Sequence, residues 1–490
     1  MKKTWIIVFL FCNIGLYAQD DYQKWLESEK KKLETYISEE DKKFTDFLKK
    51  EWIKGGLKEA PQLIEKPKPT TFPVFKPEIK TEPVTIPTAK EKPISEQPKP
   101  VTQEPVRELR KPEVPIQQPE PQIVTPQKGV SANIEYFGST IEVNYDKSFP
   151  VSLTKPISNK SVAQFWEAMS KTDYKNIVAQ GKSYQQKLRL NDWGLAVFYF
   201  SFTKQIYDDP NLRNLFAWFM LVKSGYISRV AYRGSDVLLL IATTDELFGL
   251  SYFTTNGVRL YVVNFESKRE PNLDDVFVYK EDFPGSTNPV DMCIREPLKI
   301  SDSIEKRTIN INYNGEVLQF TLPYNRAAAE FYLYYPQTKF PLYPHTKMTE
   351  AAETELLQQL SKAIEKRTQR DALNFLLHFV QQATEYKTDD EQFGFEKPMF
   401  PEESLFYRYS DCEDRSILFS YLVKKLLHLE VVLLDFPDHI ATAVLIEGVD
   451  GDAISYQNKK YLVCDPTYLG ADIGRCMPDY KNVGAEIIPL

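Results

Sequence analysis

At 490 residues the chain is too long for one ordinary domain, and 42% hydrophobic with 13% aromatic residues is enough for more than one sizeable core. A formal net charge of −7, with Lys and Glu interspersed, leaves no electrostatic footprint for nucleic acid. Taken from the N-terminus, Lys2 and Lys3 precede an apolar run from Trp5 to Leu16 that closes on Leu16-Tyr17-Ala18. This predicts a signal peptide over residues 1–18 and an exported protein, whether periplasmic, cell-surface or secreted. An uncleaved anchor is the alternative and the only route to a membrane-spanning role. Its apolar run falls short of the roughly 20 residues a spanning helix needs.

Residues 19–56 repeat an apolar trio every 11 positions: Tyr22, Trp25 and Leu26, then Leu33, Tyr36 and Ile37, then Phe44, Phe47 and Leu48. That period of about 3.67 residues per turn predicts one nearly straight amphipathic helix, ended by Gly55-Gly56. The stripe needs a partner. Its own C-terminal domains, a second copy, another exported protein meeting residues 20–54 and a membrane surface are all open. Residues 57–129 change character, with 16 of the chain's 33 prolines between Pro61 and Lys128. This predicts an extended tether, or disordered filler, without a packed core.

Folded sequence resumes at about 130. A hairpin is predicted from Ile134–Phe137 and Thr140–Val143 around Gly138-Ser139. Helices follow at Val162–Met169, Trp193–Ile206 and Leu212–Gly225, then strands at Ile227–Tyr232, Val237–Ile241 and Val258–Asn264. Residues 296–345 read as a small β segment, with strands at Thr308–Tyr313, Val317–Leu322 and Ala329–Tyr335 and a tight turn at Asn314-Gly315. Helices over Thr349–Lys366 and Gln369–Thr384 open the last domain, residues 346–490, and an irregular stretch from Tyr386 to Tyr409 reads as a wall of a binding cleft.

That last domain carries the chemistry. Cys412 opens a helix whose apolar positions include Ile417, Leu418, Tyr421, Leu422 and Leu426, with Ser410 or Asp411 available as N-cap. Unpaired N–H groups and the positive end of the helix dipole stabilise a thiolate there. His439 follows the run Val431–Leu434 and the turn Phe436-Pro437-Asp438 and opens the next strand. Asp465 ends the run Lys460–Cys464, where Pro466 stops it. A thiol on a helix start, a base opening a strand and a carboxylate closing the neighbouring strand suit nucleophilic catalysis. Gln392 and Tyr409 are the candidate oxyanion donors beside the Cys412 N–H. Acidic groups around that cleft, at Asp389, Asp390, Asp411, Glu413 and Asp414, would disfavour strongly acidic substrates, while several of them suit caps or surface charge equally well. His345, His378 and His428 read as structural. No Cys-x-x-Cys or His-x-x-x-His spacing occurs, so neither a metal nor another cofactor is expected. Of Cys293, Cys412, Cys464 and Cys476, only Cys464 and Cys476 lie near enough in sequence to suggest a bridge, and Cys464 reads more simply as packed in its strand.

The order Asp411-Cys412-Glu413-Asp414, then His439, then Asp465-Pro466-Thr467 resembles the transglutaminase-like superfamily, a variant of the papain-like cysteine peptidase fold. Many members carry an aromatic just after the histidine, where this chain has Ile440 and Ala441. The resemblance covers residues 346–490 and implies an α+β core with the Cys-bearing helix packed on an antiparallel sheet that bears His and Asp. It also implies a peptide or protein substrate attacked through an acyl-thioester on Cys412, by hydrolysis or transamidation, with hydrolysis favoured because no amine site is evident. A module of the same fold without activity, tethered by its proline-rich linker, is the alternative. Shifting the sequence by 202 places Pro210 on Cys412 and Val237 on His439, and a shift of 201 places Asn264 on Asp465. Residues 130–295 are therefore expected to hold a degenerate copy of the core, unless two ordinary helix–strand units coincide by chance.

Overall fold

The computed structural model describes residues 4–50, 52–55, 73–76, 82–89, 129–149, 151–255, 257–266 and 275–490. The chain is a mixed α+β protein with antiparallel sheets, in two units of one topology preceded by N-terminal segments that dock on both.

The N-terminal segments are a helix, α1 (Thr4–Leu48), and two short strands, β1 (Ile53–Gly55) and β2 (Thr85–Ile86). The first unit starts with a hairpin, β3 (Gly129–Tyr136) and β4 (Ser139–Asp146). Four helices follow: α2 (Asn159–Ser170), α3 (Tyr174–Lys187), α4 (Asp192–Thr203) and α5 (Pro210–Lys223). Five strands complete it: β5 (Ser228–Arg233), β6 (Asp236–Ala242), β7 (Tyr252–Thr255), β8 (Val258–Val263) and β9 (Val276–Val278). The second unit also starts with a hairpin, β10 (Glu305–Tyr313) and β11 (Glu316–Tyr324). The helices α6 (Arg326–Tyr332), α7 (Leu342–His345), α8 (Glu350–Ile364) and α9 (Gln369–Ala383) come next. A connecting stretch contains β12 (Glu385–Tyr386), α10 (Asp389–Phe393), α11 (Glu403–Phe406) and β13 (Tyr409–Ser410). It leads to α12 (Cys412–Leu426), β14 (Val431–Asp435), β15 (Ile440–Leu445), β16 (Ala453–Tyr456), β17 (Lys459–Cys464) and β18 (Glu486–Pro489).

The two sheets run β9-β5-β6-β8-β7 and β18-β14-β15-β17-β16, the same order in terms of chain sequence. In the β6–β8 and β15–β17 ladders, register agrees as well as order. Thr442 pairs with Cys464 across β15 and β17, and Leu240 pairs with Val262 across β6 and β8, each residue shifted by 202. The helix α5 packs on β5 and β6, as α12 packs on β14 and β15. Both helices are buried around most of their circumference, which explains why neither sequence shows a clean amphipathic stripe. Asp209 and Asp411 are the two N-caps, again 202 apart.

The match extends upstream of the sheets. Each hairpin turns on two residues with positive φ, Phe137-Gly138 (45° and 75°) and Asn314-Gly315 (54° and 84°), the geometry whose twist suits a two-residue hairpin. Helices α3 and α4 lie on β4 and β3 as α8 and α9 lie on β11 and β10. In each unit a glutamine clamps the backbone of the second hairpin strand with both amide atoms. Gln180 Oε1 accepts from Asn144 N (2.9 Å) and its Nε2 donates to Asn144 O (2.7 Å). Gln359 makes the same pair with Thr321, at 2.9 and 2.9 Å.

Several sequence expectations are corrected. Ala329–Tyr335 is not a strand: Asn325 caps Ala328 N and α6 forms, burying its alanines against the core. The β10–β11 hairpin is not a free-standing buttress, since Ile311, Tyr313, Phe320 and Leu322 join the core of the second unit. The first hairpin turns at Phe137-Gly138, one residue earlier than predicted, and the 386–409 stretch contains two short helices. The amphipathic helix ends at Leu48, and Ile53–Gly55 pairs with β9 instead of prolonging it.

The last of the three apolar trios docks on the chain's own first unit. Phe44 and Leu48 are buried, and Phe44 packs on Trp166, Tyr279 and Phe283. Asp41 accepts from Trp166 Nε1 (3.1 Å) and pairs with the buried Lys223, whose ammonium lies over the rings of Trp166, Tyr174, Phe219 and Phe283. Trp25 and Tyr36, from the earlier trios, stay exposed. Parts of the proline-rich stretch are likewise built into the fold. Thr85–Ile86 adds a parallel strand to β16, and Val74 bridges to Leu469. The rest of that stretch, and residues 1–3 of the predicted signal peptide, lie outside the described residues. No helix among the described residues is long and apolar enough to cross a membrane.

Candidate active site

Cys412 is the first residue of α12, held there by a capping box. Asp411 accepts from the N3 backbone, and Asp414 Oδ2 accepts from Asp411 N (3.2 Å). Asp414 Oδ1 also accepts from Met399 N (2.7 Å), and Asp389 Oδ2 accepts from Lys397 N (2.6 Å). Asp389, Asp411, Glu413 and Asp414 are thus buried, at 2% exposure or less. Asp414 ties the connecting stretch to the helix start, Asp389 braces that stretch from within and Asp411 is a cap, so the expectation that these groups line a cleft is corrected on this point. Of the five acidic residues named, only Asp390 is exposed.

His439 closes the four-residue loop that joins β14 to β15, where Phe436 N donates to His439 O (2.9 Å). Its Nε2 is 2.9 Å from Asp465 Oδ2, and its Nδ1 is buried with no hydrogen-bond partner. Asp465 stands directly after β17, where Oδ1 accepts from Thr467 N (2.9 Å) in an Asx-type turn before the proline-interrupted loop. A carboxylate on one imidazole nitrogen leaves the other as the working atom.

The helix and the His-bearing strand are tied together at this point. Ser416 Oγ donates to Ile440 O (3.1 Å), and Cys412 shares an apolar cluster with Leu433 and Ile440, against which Phe340, Ile488 and Leu490 pack. The structure thus brings Cys412, His439 and Asp465 to one end of the helix–sheet interface. All three are almost fully buried, at 1%, 1% and 2% exposure. The Cys412 thiol donates to Glu413 Oε2 (3.0 Å).

Gln392 lies on α10 with its Oε1 buried and without a hydrogen-bond partner. Tyr409 pairs with Glu385 on the short parallel ladder of β12 and β13, its ring flanked by Lys387 and Arg408. Among the described residues no disulfide joins Cys293, Cys412, Cys464 or Cys476. His378 bonds Asp472 (2.8 Å), 94 positions away, and His345 bonds Pro341 O (2.6 Å) within its own turn.

Sequence reasoning missed three groups. Arg415 is buried and donates to the carbonyls of Gln381 (2.9 Å) and Thr384 (2.8 Å) at the end of α9. Burial lowers its pKa to about 10, so it remains a cation at neutral pH, one turn from the thiol. Gln381 donates from its side chain to Asp465 O (3.3 Å) and Ala471 O (2.9 Å) and accepts from Gly470 N (3.0 Å), linking α9 to the carboxylate's loop. Tyr480 stacks on the His439 ring with centroids 5.0 Å apart. Arg415 had a signal, one helical turn beyond the cysteine. Gln381 and Tyr480 had none, because their contacts span 84 and 41 positions.

Two groups of side chains could share a cation. The carboxylates of Asp389, Asp411 and Glu413 converge with ligand atoms within 4.8 Å of one another, as do Asp245, Asp291 and Cys293 in the first unit. In each group at least one carboxylate already accepts a backbone N–H. No protein-family model matches the chain, and no curated protein matches its sequence.

Proposed function

We propose that the second unit is the catalytic part of an exported thiol enzyme of the transglutaminase-like class, acting on amide or peptide bonds. The single observation that carries this reading is the state of His439, with one ring nitrogen on a buried carboxylate and the other without a hydrogen-bond partner, next to Ile440, which packs with Cys412 at the helix start. The motif order Asp-Cys-Glu-Asp, His, Asp-Pro-Thr adds the family resemblance, and the Lys-flanked apolar run at residues 1–18 supports export.

In the proposed reaction His439 Nδ1 takes the thiol proton while Cys412 Sγ attacks the substrate carbonyl carbon. The Cys412 N–H, with Gln392 or Tyr409 as second donor, meets the oxyanion. Collapse breaks the C–N bond, the amine leaves with the proton returned by His439, and an acyl-thioester remains. Water then attacks the thioester carbon to release an acid, or an amine attacks to form a new amide. Arg415 offsets part of the negative charge around the helix start.

The thiol's low exposure means that substrate must displace the cover formed by Phe340, Ile488 and Leu490, and the thiol must turn from Glu413 to His439. The same closure favours a second reading, a scaffold that keeps the fold without turnover. A thiol-directed epoxide or chloroacetamide probe separates them. The enzyme reading expects labelling at Cys412 that falls on the order of 10²-fold or more in His439→Ala. Labelling that is slow in the parent protein and unchanged in the variant would leave the scaffold.

A further inference from the structure

The loop after Asp465 runs past the imidazole, and its shape there is set by residues far upstream. Tyr480, in the 3₁₀ turn Pro478–Tyr480, is buried and lies nearly parallel to His439, at 5.0 Å and 25°. Phe436 packs on Tyr480 at 4.9 Å. The titratable groups around this pair are Asp465, Asp438 and Cys412, and Asp438 lies close to the Tyr480 hydroxyl.

The turn is held down from outside by the proline-rich segment. Ile86 is buried in the same apolar cluster as Phe436, Met477, Tyr480 and Ala485. Ala485 N donates to Pro87 O (3.1 Å), and Ala89 N donates to Ala485 O (2.9 Å). Asp452 locks the same corner, accepting from Val84 N (2.9 Å), Cys476 N (2.9 Å) and Lys481 Nζ (3.0 Å). Gly484 lets the segment approach, since a Cβ there would stand 2.9 Å from the Ala89 Cα.

We propose that Tyr480 is a positioning residue for His439, and that residues 82–89 are the strap that keeps it in place. The phenol ring covers one face of the imidazole, fixes its plane, and keeps water from the His439–Asp465 hydrogen bond. Imidazolium formed during turnover would also rest against the π face of the ring. The strap is therefore part of the catalytic unit, although it sits about 350 positions before the histidine in sequence and inside a stretch whose composition suggests only a spacer. The inference deepens the proposed role of His439 and rests on it only for the catalytic consequence.

The test uses the full chain labelled with ¹⁵N-histidine and follows exchange of the His439 Nε2 proton with water, alongside probe labelling of Cys412. Tyr480→Phe keeps the covering ring and is expected to leave the proton as protected as in the parent. Tyr480→Leu is expected to speed its exchange roughly tenfold or more and to slow Cys412 labelling. If Tyr480→Leu does not fold, Gly484→Val decides, because it pushes the strap backbone away without touching the ring and should also expose the proton. A folded Tyr480→Leu or Gly484→Val protein with unchanged exchange overturns the proposal. Accelerated exchange in a protein whose Cys412 labelling ignores His439→Ala would sink the proposed reaction and leave the positioning role standing.

Discussion

The two units share a scaffold and differ at three matched positions. At the first residue of the central helix one has Pro210 and the other Cys412, and in the turn after β8 or β17 one has Asn264 and the other Asp465, the β6–β8 ladder running one pair further, to Leu239 and Val263. Asn264 Oδ1 accepts from Glu266 N (3.0 Å) just as Asp465 Oδ1 accepts from Thr467 N, so the turn survives while the charge does not. The third difference is one of backbone. In the first unit β5 and β6 stay paired to Arg233 and Asp236, and Val237 is an ordinary ladder residue opposite Tyr232. In the second the ladder stops at Asp435 and Ile440, leaving Phe436 to His439 as a loop. A residue in a ladder must point to one face or the other. Removing that pairing frees His439 from the alternation and lets it meet a carboxylate on the neighbouring strand. Helix ties persist, with Asn214 Nδ2 reaching Val237 O (2.8 Å) where Ser416 reaches Ile440 O. The comparison teaches that the scaffold stands without the Cys, His and Asp of the candidate triad, which are set apart by two shortened strand ends and three substitutions.

Replacing His439 by the first unit's residue breaks the comparison most severely. His439→Val alone leaves Asp465 buried without its partner and should cost about 3–5 kcal/mol. The double variant His439→Val with Asp465→Asn installs both first-unit residues and should recover most of that loss, which paired urea denaturation curves would measure. Equal destabilisation in single and double variants would mean that the two units are not interchangeable at these positions.

A buried ion pair beside the central helix of the first unit, Asp41 with Lys223, anchors α1. Burial pushes the Asp41 carboxyl up and the Lys223 ammonium down, so the ionised pair costs the fold some stability at neutral pH. With its folded pKa raised, Asp41 contributes most below its ordinary value of 3.8, and that contribution is lost as pH rises through the elevated one. Removing one partner is nevertheless worse than keeping both. Asp41→Ala should destabilise by roughly 3 kcal/mol, and Asp41→Ala with Lys223→Met should regain about 1 kcal/mol or more. Proteolysis of α1 read beside thermal unfolding would show whether the loss is confined to helix docking.

The smallest effect concerns the other thiols of the second unit. Burial pushes both Cys464 and Cys476 well above the ordinary thiol range, so at pH 7–8 they should react far more slowly than an exposed thiol and become reactive only in denaturant. Mass spectrometry after a short alkylation would check this. Native labelling of either would show that the β17 end of the sheet opens, and would weaken any assignment of probe reactivity to Cys412.

Much of this architecture was legible from local signals. The 202-residue offset came from apolar spacing, and Asp411 was legible as a cap, whereas the first-unit helix, expected from Leu212, starts at Pro210 on the unread cap Asp209. The Asn314-Gly315 turn and the helices beginning near Thr349 and Gln369 were equally local. The matching hairpins escaped notice because their likeness is carried by Gln180 and Gln359 reaching the backbone of a distant strand, which leaves no common pattern in sequence. Ala329–Tyr335 misled because its alternation of small and aromatic residues suits a strand as well as a short buried helix, and the Asn325 cap decided between them.

The sequence by itself determined the longer helices other than α3, the strands around Cys412, His439 and Asp465, the amphipathic N-terminal element and the candidacy of those three residues, since each depends on neighbours within a few positions. Tertiary structure decided where the charges sit and what covers them. Burial turned the acidic residues around Cys412 from a supposed cleft lining into internal ties. Edge pairing turned part of a proline-rich spacer into a sixth strand, and ring packing set Tyr480 on the imidazole. These are long-range outcomes of which surfaces exclude water together, and no local pattern of residues encodes them.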